Sequence, residues 1–415
     1  MPYIYLIGLG VGHLDYLTEQ AKKIIMQCDL LLGAERLIEN VKVLNSHAYA
    51  CTIDEIEKMI ESHEEVKTVG VVVSGDVGFY SLANRLRKKF KDKYPFSQIT
   101  GISSMQYFMN LLGKPYDHLY TVSMHGREEN ILTKLRCHGK VFLLTGGQHS
   151  VQAICQRLYD YGLEDVKVYV GERLSYQDEK ITKGTPKELK NQLFNSLSVM
   201  LIEQKKLNAK CFKGPGIPDE AFVRGKVPMT KAEIRAICLS KLQLFPEAIV
   251  YDIGAGTGSV TIEMAMQTPR GKVYALERNE EAIKLIKQNK KHFEMEHIEI
   301  RQVKCPDGIA DLPPPDAVFI GGSGGELGPI LREVLHKNSK VRIVITAITL
   351  ETLAEALGYF KEYALTYQEV VQVTVASSKQ VGNYHMMHGQ NPIFILSGQG
   401  ALDENKTNNN LSFTR

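Results

Sequence analysis

An α/β fold in two units is what this sequence predicts, on three observations. Short β-branched runs alternate with helix-period stretches along the whole chain, the pattern of α/β architecture. Each half opens a strand onto a glycine-rich turn that leads into a helix. Between the halves, Lys213-Gly-Pro-Gly-Ile-Pro puts two glycines and two prolines into one short stretch, a composition that suits a domain boundary.

Taken in order, apolar runs at 4–7, 30–32, 69–73, 141–144, 168–170 and 199–202 read as strands of the first unit, with helices at 17–28 and 53–60. The second unit gives seven strands, at 249–252, 273–277, 298–303, 317–320, 341–346, 370–375 and 392–396, and helices at 230–241, 260–267 and 280–292. The expected domains are 1–206 and 215–400, joined by a linker at 207–214. The Asn-rich stretch 401–415 has little to bury and reads as a disordered tail.

A length of 415 residues allows two or three domains. With 44% hydrophobic and 23% charged positions, the chain is neither a disordered polymer nor a collagen-like repeat or coiled coil. Lys plus Arg total 50 against 47 for Asp plus Glu, so a formal charge of +3 offers no strong field for nucleic acid or an anionic membrane. Seven scattered cysteines without a Cys-x-x-Cys pair read as reduced thiols of a cytosolic protein. The apolar start lacks a basic residue and is interrupted by Gly8, Gly10 and Gly12, so no signal peptide is expected. No apolar run approaches the roughly 20 residues that cross a bilayer. A soluble, cytoplasmic protein is expected.

In the second unit, Asp252-Ile-Gly-Ala-Gly-Thr-Gly carries a strand through Gly254, Ala255, Gly256, Thr257 and Gly258 into a helix. Glycines let the chain turn tightly and a ligand approach closely, and the helix start offers free N–H groups. A second strand ends in Glu277, whose carboxylate suits ribose hydroxyls. The spacing Gly-x-Gly-x-Gly after an aspartate resembles the first motif of the class I S-adenosylmethionine-dependent methyltransferases, a Rossmann-like seven-stranded fold that closes in an antiparallel hairpin. Strands 370–375 and 392–396, joined by a polar stretch, fit that hairpin.

The resemblance narrows at Gly216-Ile-Pro-Asp-Glu-Ala-Phe-Val-Arg-Gly-Lys-Val-Pro-Met-Thr-Lys-Ala-Glu and Ile320-Gly-Gly-Ser-Gly-Gly-Glu-Leu, which are similar to the decarboxylating precorrin C15-methyltransferases of cobalamin biosynthesis. That resemblance implies S-adenosylmethionine held by Thr230, Gly254, Ala255, Gly256, Thr257, Gly258 and Glu277, with Cys305 beside the adenine. Lys304 departs from an acid common in the family. Gly322, Ser323, Gly324 and Gly325 form either a plain connector or, as the family implies, a backbone nest for substrate carboxylates. Arg224, Lys226 and Lys231 read equally as carboxylate clamps or as solvated surface charges.

In the first unit, the strand ending in Gly8, Gly10 and Gly12 leads to a helix that Thr18 is placed to start, across a longer gap than a Rossmann turn allows. Ser74-Gly-Asp-Val-Gly carries Asp76 and Gly78, Thr100-Gly-Ile-Ser-Ser carries Ser103 and Ser104, and Ser123-Met-His-Gly-Arg carries His125 and Arg127. With Leu144-Thr-Gly-Gly, these segments resemble the class III tetrapyrrole methylases, specifically the precorrin C5-methyltransferases. A two-lobed fold is implied, with a second S-adenosylmethionine site at Gly8, Gly10, Gly12, Asp76, Gly78, Ser103 and Ser104. It also implies a substrate contact at Arg127 and a catalytic candidate in His125. Asp76 alone also suits a turn and the serines a helix cap. Val11 and Val77 replace prolines common in the family.

Methyl transfer from a sulfonium depends on placement more than on acid–base groups, so the absence of a nucleophile–base–acid triad is expected. By resemblance, the first unit methylates C5, and the second decarboxylates the C12 acetate and methylates C15, of an anionic precorrin. Tyr384, His385 and Asn383, on a loop near the last hairpin, are further catalytic candidates. His385 and His388 share a ligand face only in a helix, and no metal site is expected. A homo-oligomer is expected. A nucleic-acid methyltransferase would call for a basic groove and stacking aromatics; the chain has no Trp and no long basic run. A non-catalytic S-adenosylmethionine sensor stays open as an alternative reading; two different cofactor turns joined in one chain favour sequential catalysis.

Overall fold

Among the described residues, two five-stranded sheets build the first unit, Met1–Leu207, and a seven-stranded sheet with a separate two-stranded one builds the second, Asn208–Arg415. The computed structural model describes residues 1–63, 65–124, 130–204 and 214–401. His125, Arg127, linker residues 207–213 and tail residues 402–415 lie outside the described residues.

The first sheet uses β1 (Tyr3–Gly8), β2 (Leu30–Gly33), β3 (Ala48–Ala50), β4 (Thr68–Val73) and β5 (Phe96–Ile99) in the parallel order β3-β2-β4-β1-β5. Helices α1 (Glu19–Gln27), α2 (Glu35–Val41), α3 (Ile56–Glu61) and α4 (Ala83–Phe90) connect them. The Thr18 side chain caps α1 by accepting from the Ala21 N–H at 3.1 Å. A single 3-10 turn at Leu14–Tyr16 fills the long gap after Gly12.

Helix α5 (Ser104–Leu111) leads to the second lobe, built from β6 (Tyr120–Ser123), α6 (Ile131–His138), β7 (Lys140–Leu144), α7 (Val151–Asp160), β8 (Lys167–Glu172), β9 (Lys180–Gly184), α8 (Pro186–Leu189) and β10 (Ser198–Glu203). Its sheet runs β6-β7-β10-β8-β9, parallel only between β6 and β7. Strands β3, β5, β6 and β9, absent from the sequence reading, are short or partly exposed and lack a continuous apolar run.

In the second unit α9 (Ala232–Leu242) precedes β11 (Ile249–Ile253), α10 (Ser259–Gln267), β12 (Lys272–Glu277), α11 (Glu280–His292), β13 (Ile298–Gln302), β14 (Ala317–Ile320), α12 (Leu327–Lys337), β15 (Arg342–Ala347) and α13 (Leu350–Glu362). The chain closes with β16 (Thr366–Val373), β17 (Ala376–Val381), β18 (Tyr384–Gly389) and β19 (Ile393–Gln399). Sheet order is β13-β12-β11-β14-β15-β19-β16, with β19 antiparallel to both neighbours. Apolar clusters cover both faces. One packs α9 and α10 through Cys238, Leu239 and Ile262, and the other packs α12 and α13 through Leu331, Val334 and Phe360. The order reverses between β11 and β14, so a crevice opens at their carboxyl ends.

The expected closing hairpin needs one correction. Its strands β16 and β19 pair, but a second hairpin, β17 with β18, stands where a polar loop was expected. Every residue of β17 and β18 is exposed, so neither strand shows the apolar alternation that marks a half-buried strand.

Candidate functional sites

At the crevice of the second unit, Gly254, Gly256 and Gly258 all take positive φ (71°, 55° and 78°), where a side chain is strained. A Cβ on Gly254 would stand 2.5 Å from the Gly322 carbonyl oxygen, so the two glycine segments meet backbone to backbone. Glu277, ending β12, accepts from the Gly256 N–H at 2.9 Å and from the Arg278 and Asn279 N–H groups at 2.8 Å each. Beneath the turn, Asp252 is fully buried and accepts from the Thr261 hydroxyl. Burial pushes its carboxyl up to about 7, and its Oδ1 has no partner among the described residues.

A cavity of about 530 Å³ opens here, lined by Thr230, Gly254, Ala255, Gly256, Thr257, Glu277, Cys305, Gly322, Ser323 and Gly324 among others. Among the described residues the buried Thr257 hydroxyl has no partner. An unpartnered hydroxyl, the cavity-lining backbone of Gly254, Gly256 and Gly322 and one strand-end carboxylate are the donor and acceptor set that a nucleoside needs, so the residues present fit S-adenosylmethionine. Gly258 stands behind the turn as N-cap of α10. Gly325 lines an adjoining cavity of about 320 Å³ with Thr346, Thr349 and Thr352. Burial raises the Cys305 thiol to about 12, so it lines the cavity as a neutral group. Lys304 pairs with Glu326 at 2.8 Å. Arg224 and Lys226 are exposed and are not among the lining residues.

Two fastenings of this site were not visible in the sequence. Arg235 is fully buried, with Nε 2.6 Å from Glu263 and Nη1 2.8 Å from Asp219. It also donates to the Thr230 carbonyl at 2.5 Å and to that of Ile217. Glu263 in turn accepts from the Gly216 and Ile217 N–H groups at 2.7 and 3.1 Å. This network pins both ends of the strap 216–230 against α9 and α10. The available signal was one Arg and one Glu inside otherwise apolar helix faces. The second fastening is Asn289, buried on α11 and bonded to Val223 and Thr257.

In the first unit three glycine turns converge. A Cβ on Gly8 would lie 2.7 Å from the Gly75 carbonyl oxygen and 2.8 Å from the Gly101 nitrogen. Gly10 and Gly75 exchange backbone hydrogen bonds at 3.1 and 2.8 Å. Asp76 accepts from the Gly78 and Gly101 N–H groups at 2.8 and 3.2 Å, tying the turn after β4 to that after β5. Ser103 closes a capping box with Gln106, and Ser104 is the first residue of α5. The Ser103 hydroxyl is thus engaged within its own cap. Gly12 (φ 127°) packs on Tyr176 of the second lobe, whose hydroxyl accepts from Arg36 at 2.6 Å. Tyr80, Arg173 and Ser175 hold positive φ (47°, 46° and 70°) near the same lobe boundary, and Tyr80 donates to the Thr121 carbonyl at 2.6 Å.

Comparison with known proteins decides what this geometry belongs to. Residues 3–190 match the model of the tetrapyrrole (corrin/porphyrin) methylases, and residues 220–399 that of the precorrin methyltransferase domain. A relative from Pyrobaculum calidifontis named "Probable cobalt-precorrin-6B C(15)-methyltransferase (decarboxylating)" is 41% identical over 186 residues, which are 44% of this chain and 95% of the relative. The chain belongs to the precorrin methyltransferases. The cobalt-precorrin-6B C(15)-methyltransferase (decarboxylating) of Salmonella typhimurium is 39% identical over 183 residues, 44% of this chain and 94% of its own. A crystal structure of precorrin-6y C5,15-methyltransferase from Geobacter metallireducens is 39% identical, covers 45% of this chain and 97% of that one, and has a TM-score of 0.43.

In this precorrin methyltransferase Tyr384 and His385 sit on the exposed hairpin β17–β18, and Tyr384 is 78% exposed. Neither lines the cofactor-sized cavity. His385 faces Gln380 in the ladder and His388 faces Ser377; three residues apart on a strand, the two rings point to opposite faces. No cluster among the described residues has the makings of a metal site.

Proposed function

We propose that this chain methylates a late precorrin at C5 through its first unit and at C15 through its second, with decarboxylation of the C12 acetate in the second. One observation carries the reading. The turn at Gly254 and Gly256, Glu277, and the glycine run Gly322–Gly324 line a single cavity at the switch point of the sheet. Identity to the decarboxylating C(15)-methyltransferases over nearly their whole length supports this assignment. The match of residues 3–190 to tetrapyrrole methylases supports a methylation by the first unit.

S-adenosylmethionine, when bound, supplies an electrophilic methyl group and leaves as a neutral thioether. Thr230, Gly254, Ala255, Gly256, Thr257, Glu277 and Cys305 are the residues proposed to hold it in the second unit, with Gly258 shaping the turn from behind. Gly8, Gly10, Gly12, Asp76, Gly78, Ser103 and Ser104 are their counterparts in the first. Glu277 is the one carboxylate among the described residues lining the larger cavity, and three N–H groups already fix it. It therefore orients ribose and does not serve as a base. The chain's contribution to chemistry is placement of the ring carbon in line with the methyl, worth several kcal/mol, and exclusion of water. The conjugated macrocycle, once protonated, takes up the electrons that the departing carboxylate leaves.

No helix among the described residues is long and apolar enough to cross a membrane. We place the protein in the cytoplasm on its free cysteines, which suit a reducing compartment. A homo-oligomer belongs to the same proposal. Val381, Tyr384, Met386 and Met387 expose apolar surface on the β17–β18 arm, a feature that favours self-association. The test is to incubate the full chain with S-adenosylmethionine and the late precorrin, with and without cobalt. A product gaining two methyl groups and losing one carbon dioxide is expected. No mass change with either form, from a folded protein, overturns the reading.

A further inference from the structure

We infer that Arg278 is a substrate-positioning residue of the second unit that clamps a carboxylate arm of the anionic macrocycle. The inference rests on the function proposed above and adds a contact that neither the motifs nor the family matches point to.

Three cations line the larger cavity: Lys231, Arg278 and Lys304. Two of them already have counter-charges, since Lys231 Nζ lies 3.2 Å from Asp219 and Lys304 Nζ lies 2.8 Å from Glu326. Arg278 uses only its backbone N–H, which donates to Glu277 at 2.8 Å. Among the described residues its guanidinium has no acceptor. Solvated arginines are common on protein surfaces, but the location of this one sets it apart. It follows Glu277 directly, so it stands at the mouth of the site where that carboxylate would hold the nucleoside. Its Nη1 lies 3.5 Å from where a Cβ on Gly324 would be. Gly324 and Gly325 turn with φ of 61° and 86°, and as glycines they place no side chain between the guanidinium and the cavity.

The other requirement of a macrocycle is an apolar surface for the ring. Ile348 lines both the larger cavity and its neighbour, yet it is 63% exposed, and Leu350 close by is 69% exposed. Large aliphatic side chains held in water at the rim of a polar cavity suit the face of a planar ring. A ring fringed with carboxylates would use both features, Ile348 under the ring and the Arg278 fork on an arm.

The chemistry restricts which arm this is. A carboxylate that departs as carbon dioxide loses its charge on the way to the transition state. Holding that charge would stabilise the ground state more than the transition state and slow the step. Arg278 therefore binds an arm that the reaction keeps. Its contribution is the same in ground and transition states, and it shows in KM and not in kcat.

The test measures steady-state methyl transfer by the full chain at saturating S-adenosylmethionine, with cobalt-precorrin-6B varied, for the unsubstituted protein and for R278A, R278K and R278E. We expect KM for the macrocycle to rise about tenfold in R278A and further in R278E. R278K should fall between, since lysine keeps the charge without the two-pronged fork. Values of kcat and the calorimetric Kd for S-adenosylmethionine should stay within about twofold throughout. An unchanged KM in both R278A and R278E, with the unsubstituted protein active, overturns the inference and leaves the proposed function standing. A weakened Kd for S-adenosylmethionine in R278A also overturns it, by making Arg278 a cofactor contact. No turnover by the unsubstituted chain removes the proposed function, and the inference with it.

Discussion

Asn289 grips Val223 by both of its backbone polar groups, accepting from its N–H at 2.8 Å and donating to its carbonyl at 3.0 Å. The same side-chain amide donates to the Thr257 carbonyl at 2.9 Å. A residue of α11 thus ties the strap before α9 to the glycine turn after β11. N289A removes three hydrogen bonds at a fully buried position and leaves their partners without replacements. It should lower unfolding free energy by about 2–4 kcal/mol in urea titrations. S-adenosylmethionine affinity, read by calorimetry on the folded fraction, should fall with it. An unchanged urea midpoint would mean that the strap is held by other contacts.

The meeting of Gly254 with Gly322 predicts an asymmetry between glycines. In G254A the new methyl would stand 2.5 Å from a backbone oxygen at a φ of +71°, so one of the two segments must move. Cofactor affinity should drop by about tenfold or more. Gly358, inside α13, has nothing within 4 Å of the corresponding position. There G358A should leave binding unchanged and raise stability by about 0.5–1 kcal/mol, by restricting the unfolded chain. Equal affinities for the two variants would remove the close approach as the reason for glycine at 254.

What was legible in the sequence followed local physics. Buried parallel strands such as β4 and β12 read as unbroken apolar runs, and Asn279 with two glutamates after it marks the start of α11. The glycine turns stood out because positive φ, as at Gly10, Gly75 and Gly254, or close backbone approach, as at Gly8 and Gly101, favours glycine. Pairings across long sequence separations were not legible. Arg235 and Glu263 are 28 positions apart and Arg36 and Tyr176 are 140 apart, and no local pattern links them. Which cation stays available was equally hidden, because Lys231 and Lys304 are neutralised by acids that only the fold brings near. The β17–β18 arm escaped because a strand exposed on both faces carries no periodic apolar signal.

Gly12 offers a way to separate the two proposed methylations. A Cβ there would lie 2.8 Å from the Tyr176 hydroxyl, at a φ of +127°. Tyr176 has little freedom to retreat, because Arg36 donates to it at 2.6 Å, and Asn40 fixes the Gly12 carbonyl at 3.0 Å. G12A should therefore damage the first-unit site and leave the second untouched. Mass spectrometry of the product should show one methyl gained, with decarboxylation intact. Y176F, which loses only the hydroxyl, should slow the first-unit methylation less. Loss of decarboxylation in G12A would contradict independent sites.

Asp252 predicts a pH dependence with an unusual sign. In the unfolded chain its carboxyl titrates near the ordinary value of 3.8, whereas burial raises it to about 7 in the fold. Between these values the native state binds the proton more tightly than the unfolded state, so stability falls as pH rises from about 4 towards 7. Surface carboxylates with partners, such as Glu57 beside Lys89 and Lys93, are depressed and push the opposite way at lower pH. D252N isolates the buried group. An amide cannot ionise, and it still presents an oxygen to the Thr261 hydroxyl. Urea titrations between pH 4.5 and 7.5 should give a downward slope for the unsubstituted protein and a flatter one for D252N. Parallel slopes would show that Asp252 does not take up a proton in the native state across this range.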